Sequence, residues 1–174
     1  MIQNQNLSPH FELREFIASR KAKEHRIDNT PPEEAVENLR ALCQHTLEPL
    51  REALGLPIII TSGFRTMALN NLLAHASSTS QHMQGRAADF YVAQEAPVQG
   101  SKFQVSSDRE RLIKAFRLIL TSPDIDFDQL ILYPTFIHVS YVSKERNRHG
   151  ILKAQGNGKL GYGRLTLANA LKIS

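Results

Sequence analysis

An acidic residue inside an apolar stretch constrains this chain more than any other feature. Asp89 follows two alanines and precedes Phe90-Tyr91-Val92, at the end of the segment Ser80-Gln81-His82-Met83-Gln84-Gly85-Arg86-Ala87-Ala88-Asp89. A carboxylate in such surroundings is tolerated only when it is paired, hydrogen-bonded or bound to a cation. We therefore expect a fold that brings Asp89 a partner, either a metal ion or an arginine such as Arg65 or Arg86.

Two histidines are candidate partners of Asp89 in a metal site. His82 lies seven residues before Asp89, and on a continuous helix this spacing would separate the side chains by about two turns, roughly 10 Å. A path from loop to strand across Gly85 removes that separation. Catalytic zinc commonly takes three protein ligands, and His138, placed mid-strand between apolar residues, is the candidate third ligand. Considered alone, His138 is equally compatible with an ordinary strand histidine.

The remaining histidines carry weaker signals. His75, between a predicted helix and a serine-rich loop, is an intermediate candidate. The others lie in polar or helix-surface contexts, where we expect no chemical role: His10, His25, His45 and His149.

Hydrophobic periodicity predicts several helices. Apolar residues at three- and four-residue spacing predict a short helix within 7–19 and helices over 32–54, 66–76 and 108–122. Ser8 is the expected N-cap of the first helix. In the longest one, Pro49 is expected to cause a kink and Gly55 to mark the end.

Alternating and β-branched runs predict a sheet. They lie near 57–62, 86–92, 128–133 and 136–141, and the tight turn Pro134-Thr135 joins the last two into a hairpin. We therefore expect an α+β fold with a small, mostly antiparallel sheet. Helices 32–54 and 108–122 would pack on one face of it, and the other face would form an open groove for the metal.

The composition is that of one ordinary globular domain. With 174 residues, the chain is long enough to bury a single core, and we predict one domain spanning 1–174. No apolar run approaches the ~20 residues that cross a bilayer. The N-terminus lacks the basic start and apolar stretch of a secretory signal, so we expect a cytoplasmic protein as synthesised. The lone cysteine, Cys43, excludes an internal disulfide.

Positive charge is concentrated at the C-terminal end. Residues 143–174 contain seven lysines and arginines against one glutamate, a net of +6, while the whole chain carries +4. A basic, glycine-containing segment of this kind can attract nucleic acid or an anionic cell-wall or membrane surface. It lacks the aromatic residues that are interleaved with basic ones in single-strand binders. We therefore expect a solvated surface and no nucleic-acid partner.

The spacing of these residues resembles a known family. Ser80-x-His82-x-x-Gly85-x-Ala87-x-Asp89, followed at a distance by His138, is similar to the pattern of the zinc D-alanyl-D-alanine carboxypeptidase family. That family includes cell-wall dipeptidases and phage endolysins, and its fold is shared with the hedgehog signalling domain. Ser62-Gly63-Phe64-Arg65 resembles its Ser-Gly-aromatic-Arg motif, and Phe127-Asp128-Gln129 with Ile137-His138-Val139-Ser140 resembles its closing hairpin. The resemblance extends from Phe11 to about Tyr141.

The resemblance implies a function and a set of roles. The function is a zinc-dependent peptidase of carboxypeptidase or endolysin type, which hydrolyses D-amino-acid-containing stem peptides of bacterial peptidoglycan. Its zinc ligands would be His82, Asp89 and His138. Arg65 would hold a substrate carboxylate or the charge that develops at the scissile carbonyl, and Ser80 and Gln81 would contact the substrate. A protein without an export signal would reach the cell wall only after phage-type release.

One expected residue is missing. The family places an acidic residue, usually glutamate, a few positions before the last histidine ligand, where it acts as general base. Residues 132–137 contain no acid. Asp128 is one candidate replacement, although a structural role is its alternative, and Tyr133 or His75 is another. The third possibility is a catalytically impaired zinc-binding module that recognises a peptidoglycan peptide or a protein partner.

Overall fold

The computed structural model describes residues 5–74, 76–94, 109–154 and 162–173. Its helices are α1 (Leu13–Ile17), α2 (Arg20–Glu24), α3 (Glu33–Leu42), α4 (Glu48–Leu54), α5 (Met67–Asn71), α6 (Arg109–Thr121) and α7 (Leu167–Ala170). Its strands are β1 (Asn6–Ser8), β2 (Phe11–Glu12), β3 (Ile58–Ser62), β4 (Ala87–Val92), β5 (Gln129–Leu132), β6 (Ile137–Ser140), β7 (Gly150–Ala154) and β8 (Tyr162–Arg164). Together they form the α+β fold that the sequence predicts.

The main sheet has six strands in the order β3-β4-β6-β5-β7-β8. Neighbouring strands are antiparallel except β5 and β7, which are parallel. The prediction of a mostly antiparallel sheet is confirmed, and the four predicted strands correspond to β3, β4, β5 and β6. Strands β7 and β8 extend the sheet with residues from the basic C-terminal segment, for which the sequence predicted no strand.

The long predicted helix is present as α3 and α4, joined by a π-helical turn at Cys43–Leu47. Pro49 lies in the first turn of α4, and because proline has no N–H, it cannot bond the carbonyl of His45. The His45 carbonyl instead accepts from the Asp126 N–H at 3.0 Å. The expected irregularity at Pro49 is therefore a π turn that lies just before the proline. Gly55 ends the helix with a φ of +63°.

The N-terminal segment differs from the prediction. Strands β1 and β2 form a short antiparallel hairpin, and the helix begins only at Leu13. The carboxylate of Glu15 accepts from the Glu12 N–H at 2.7 Å and so completes the start of α1. Ser8, the expected cap, lies in β1, and its hydroxyl donates to Glu48 Oε2 at 2.6 Å. A long-range contact therefore outweighs the local capping signal.

Two other predicted helices are present with different ends. The helix predicted over 66–76 is the shorter α5, and Thr66 caps it by accepting from the Leu69 N–H at 3.4 Å. The helix predicted over 108–122 is α6, and its predicted cap at residues 107–108 lies outside the described residues. No helix in the described ranges is long and apolar enough to cross a membrane.

The two faces of the main sheet differ, as the alternation in β4 and β6 predicts. On one face, side chains of β4, β5 and β6 pack against α3, α4 and α6 in the core: Ala88, Phe90, Leu130, Leu132, Ile137 and Val139. On the other face a row of paired residues crosses the sheet. Asp89 is paired with His138, His138 with Ile131, and Ile131 with Leu152. All four line one open groove.

Candidate metal centre

Three side chains with metal-binding atoms meet at this groove. Asp89 Oδ1 lies 2.8 Å from His138 Nδ1 and 3.3 Å from His82 Nε2, and the two ring nitrogens are 3.2 Å apart. The candidate ligand atoms all lie within 4.8 Å of one another, and no other such cluster occurs in the part of the chain that is described. The structure therefore brings together the three residues that the sequence analysis predicted as ligands.

Gly85 makes this meeting possible. A 3₁₀ turn at Gln81–Gln84 carries His82, and Gly85 ends it with a φ of +69° before the chain enters β4. A Cβ at Gly85 would lie 2.2 Å from the Ala35 carbonyl oxygen. Only glycine combines this backbone conformation with so close an approach. The path from turn to strand is the one predicted from the spacing of His82 and Asp89.

Hydrogen bonding fixes the orientation of the His82 ring, a candidate metal ligand. Its Nδ1–H donates to the Gly63 carbonyl at 2.7 Å, which leaves the Nε2 lone pair facing Asp89 and His138. Burial lowers the pKa of the His82 ring, so the neutral form dominates near pH 7. A metal-bound histidine commonly donates its second nitrogen to a carbonyl in this way. Gly63 is itself constrained, because a Cβ there would lie 2.5 Å from the Phe16 carbonyl oxygen.

Asp89 is ionised in this setting. Burial alone would raise the pKa of its carboxyl group, but the interactions with the His82 ring and the hydrogen bond from His138 outweigh burial and hold the pKa well below its usual range. Neither arginine considered from the sequence forms an ion pair with Asp89 among the described residues: Arg86 Nη1 donates to Gln84 Oε1 at 3.1 Å, and Arg65 interacts with Asp89 only through its charge. A neutral imidazole, an anionic carboxylate and a second imidazole form a donor set that suits zinc.

Arg65 lies beside the three candidate ligands. Its N–H donates to the His82 carbonyl at 3.2 Å, and its Nη2 donates to Ser80 Oγ at 3.3 Å. Its Nε is buried and has no partner among the described residues. Burial lowers the pKa of the Arg65 guanidinium, and the nearby Asp89 and Tyr133 oppose this shift. A buried guanidinium with an unpaired donor is suited to bind an anionic group of a ligand.

Asp128 is fully buried and extensively hydrogen-bonded. Arg148 binds it with its backbone N–H at 2.8 Å, with Nε at 2.9 Å and with Nη2 at 2.5 Å. Gln81 Nε2 donates to Asp128 Oδ2 at 2.9 Å. Burial raises the pKa of the Asp128 carboxyl, but the hydrogen bonds from Arg148 and Gln81 outweigh burial and bring the pKa down to about 2.

The groove has a volume of about 980 Å³. All the residues predicted for the site line it: Arg65, Ser80, Gln81, His82, Asp89, Asp128 and His138. Tyr133 also lines the groove and stacks on Phe136 with 4.1 Å between ring centroids. His75, the other candidate for the missing acid, lies outside the described residues.

Two arginines that line the groove, Arg146 and Arg148, are not among the residues that the sequence predicts for the site. They belong to the basic segment that was expected to be solvated surface. Their signal was the density of positive charge directly after the predicted strand that carries His138. What could not be seen in the sequence is that Asp128 holds Arg148 at the groove.

The α+β fold thus places a His-Asp-His cluster that could hold a metal ion in an open groove. The chain matches the Peptidase M15 family over residues 9–112, more than half of its length, and it belongs to this family, which is of the zinc D-Ala-D-Ala carboxypeptidase type. The match includes His82 and Asp89 and ends before His138. The family is zinc-dependent in general. A search of curated proteins found no match.

Proposed function

We propose that this chain is a zinc-dependent peptidase that hydrolyses D-amino-acid-containing peptides of bacterial peptidoglycan, as a carboxypeptidase or an endolysin. The observation that carries the proposal is the juxtaposition, in one groove, of a three-residue donor set and a buried arginine with an unpaired Nε. Membership of the Peptidase M15 family supports it.

In this proposal His82, Asp89 and His138 hold the zinc ion. Their atoms fit the role, because one imidazole is fixed in the required tautomer and the carboxyl group is ionised. Bound zinc supplies a Lewis acid for the scissile carbonyl and an activated water molecule.

Arg65 orients the substrate. Its guanidinium lies next to the donor set and offers two parallel N–H donors to a carboxylate or to a carbonyl oxygen that gains charge during the reaction. Ser80 fixes one end of this guanidinium through its hydroxyl group. Gln81 donates to Asp128, and with Ser80 it lines the groove in which the two residues would contact the substrate.

The contacts of Asp128 favour a positioning role over proton transfer. A general base is most effective when its pKa lies near the working pH, whereas that of Asp128 is about 2. Its oxygens already accept hydrogen bonds from Arg148 and Gln81. A catalytic role for Asp128 stays a prediction, and Tyr133 is the other described candidate because it lines the groove and interacts electrostatically with Arg65.

A second candidate function is a zinc-binding module without turnover, which recognises a peptidoglycan peptide or a protein partner through the same groove. One observation favours it. Among the described residues that line the groove, the acidic ones are Asp89 and Asp128, and both are engaged by other side chains.

A substitution can separate the two candidate functions. A carboxylate introduced by Tyr133→Glu or Thr135→Glu should create activity if the general base is the only missing part of the site.

The test is product formation by the zinc-loaded protein. Stem peptides that end in D-Ala-D-Ala, and purified peptidoglycan, are incubated with the chain, and the products are identified by mass spectrometry. The peptidase proposal expects release of D-alanine or of a peptide fragment, which a chelator abolishes and added zinc restores. Saturable peptide binding without product supports the module instead, and neither binding nor product contradicts both.

A further inference from the structure

Positive charge flanks the candidate metal centre on both sides. Arg65 lies three residues after β3, at one edge of the sheet, while Arg148 lies two residues before β7, which pairs with β5 on the other side of β6. Asp89 and His138 lie on β4 and β6, between these positions in the strand order. A peptide that crosses the sheet over the candidate ligands would therefore meet an arginine at each end of its path.

The two arginines on the far side are not equivalent. Arg148 is bound to the carboxylate of Asp128, so its charge is neutralised within the protein. The side chain of Arg146, two residues earlier, lines the same groove and makes no hydrogen bond or ion pair within the described ranges. The neighbouring Glu145 is exposed, interacts with Arg146 only through its charge, and accepts from Ser143 Oγ at 3.0 Å.

A hydrogen-bonded turn presents Arg146 to the groove. The backbone N–H groups of Arg146 and Asn147 both donate to the Ser143 carbonyl at 3.0 Å. Asn147 Oδ1 accepts from the Val142 N–H at 2.9 Å and ties the turn to the end of β6. On the other side the turn runs into Arg148, which Asp128 holds. Arg146 is therefore carried by a segment fixed at both ends.

The charges that remain define what the groove can bind. Asp128 neutralises Arg148, and Asp89 faces the two histidines, which leaves Arg65 and Arg146 as the guanidinium groups available to a ligand. Ile131 and Leu152, which are paired across β5 and β7, also line the groove and suit a small aliphatic side chain. Among the groups of an unmodified peptide, a carboxylate pairs most strongly with a guanidinium group, through two hydrogen bonds.

We infer that Arg146 binds a second carboxylate of the substrate, on the side of the scissile bond opposite to the group held by Arg65. The inference rests on the proposed function and narrows its substrate class to peptides that carry a carboxylate on each side of the cleaved bond. The same peptides with an amide in place of the Arg146-bound carboxylate are poorer ligands.

The test compares two peptides that differ only in this carboxylate, one as the free acid and one as the amide. Calorimetry measures their dissociation constants for the zinc-loaded protein, and kcat/KM is measured wherever product forms. In the unaltered protein, the free acid binds about fivefold more tightly than the amide, the size expected for an exposed charge pair. Arg146→Gln removes this difference by weakening the free acid alone, and Arg146→Lys restores part of it.

Lys144→Gln is the matched control, because it removes a charge two residues away that lines a different cavity. It leaves the preference for the free acid unchanged. Equal binding of the two peptides by the unaltered protein, equal weakening of both by Arg146→Gln, or no binding of either peptide overturns the inference. Tight and selective binding without any product would contradict the peptidase proposal and still support the role of Arg146.

Discussion

Asp89 and His138 are directly paired across two antiparallel strands, and their side chains meet with 2.8 Å between Oδ1 and Nδ1. The register of β4 against β6 thus sets the relative positions of two of the three candidate ligands. The third, His82, lies in the turn before Gly85. A shift of either strand by one residue would turn its ligand into the core. The geometry of the site therefore depends on the same pairings that hold the sheet together.

A substitution at Gly85 tests how much the turn between His82 and β4 contributes to stability. Gly85→Ala should lower the free energy of unfolding by about 3 kcal/mol or more, because it adds a Cβ against the Ala35 carbonyl to the strain of a positive φ. Gly55→Ala is the matched control, since Gly55 has a φ of +63° but nothing within 4 Å of the added Cβ. Its expected cost is about 1 kcal/mol. Denaturant unfolding measures both, and equal losses would show that the contact with Ala35 is unimportant.

The Asp128–Arg148 pair predicts a stability loss in acid. The folded protein lowers the pKa of the Asp128 carboxyl from 3.8 to about 2. The stabilisation is therefore complete above pH 3.8 and is lost as the pH falls toward 2, and it amounts to about 2 kcal/mol. Urea unfolding at pH 6, 4 and 3 should show this loss in the unaltered protein and a smaller one in Asp128→Asn. Identical acid dependence in both proteins would contradict the prediction.

The same variant separates the two roles of Asp128 in catalysis. If Asp128 positions Arg148 and Gln81, Asp128→Asn should raise KM by several-fold and lower kcat modestly, because asparagine keeps part of the hydrogen bonding. Loss of a general base would instead lower kcat by about 10²–10⁴-fold with little change in KM. Steady-state kinetics on a stem peptide decides between them, and a kcat loss of that size would establish Asp128 as the base.

Arg65 should be sensitive even to a conservative change. Arg65→Lys keeps the positive charge but loses the paired donors and the hydrogen bond from Nη2 to Ser80. We expect kcat/KM to fall by about 10-fold in Arg65→Lys and by about 100-fold or more in Arg65→Gln. Arg20→Gln, which removes an exposed arginine of α2, is the control. Full activity of Arg65→Gln would remove this residue from the site.

The parts of the fold that the sequence predicted are those with strong local patterns. The alternation in β4 and β6 and the tight turn at Pro134-Thr135 are local, and they gave Asp89 and His138 each a defined side of its strand. That the two side chains meet was implied only by the family resemblance, because their pairing joins residues 49 positions apart. The positions of β7 and Arg148 could not be predicted in this way. Strand β7 pairs in parallel with β5, and the contact of Arg148 with Asp128 joins residues 20 positions apart. Neither the strand pairing nor this contact follows from a turn or a periodicity.

At Ser8 a strong local signal gave a wrong prediction. Its hydroxyl group beside Pro9 is a strong local signal for a helix start, yet in the folded chain it donates to Glu48, 40 residues away. The helix begins at Leu13 instead. Local propensity is therefore overruled where a buried carboxylate needs a donor, since an unpaired carboxylate in the interior would cost more than a lost cap.

The most direct test of the proposed zinc site is the zinc content of the purified chain, measured by native mass spectrometry after loading with zinc and removal of free metal. We expect one zinc ion per chain, none in His138→Ala or Asp89→Ala, and one in the control His25→Ala, whose altered residue lies at the end of α2. Circular dichroism of each variant confirms that it is folded. A folded chain that binds no zinc, or one that keeps its zinc without His138 or Asp89, would contradict this expectation.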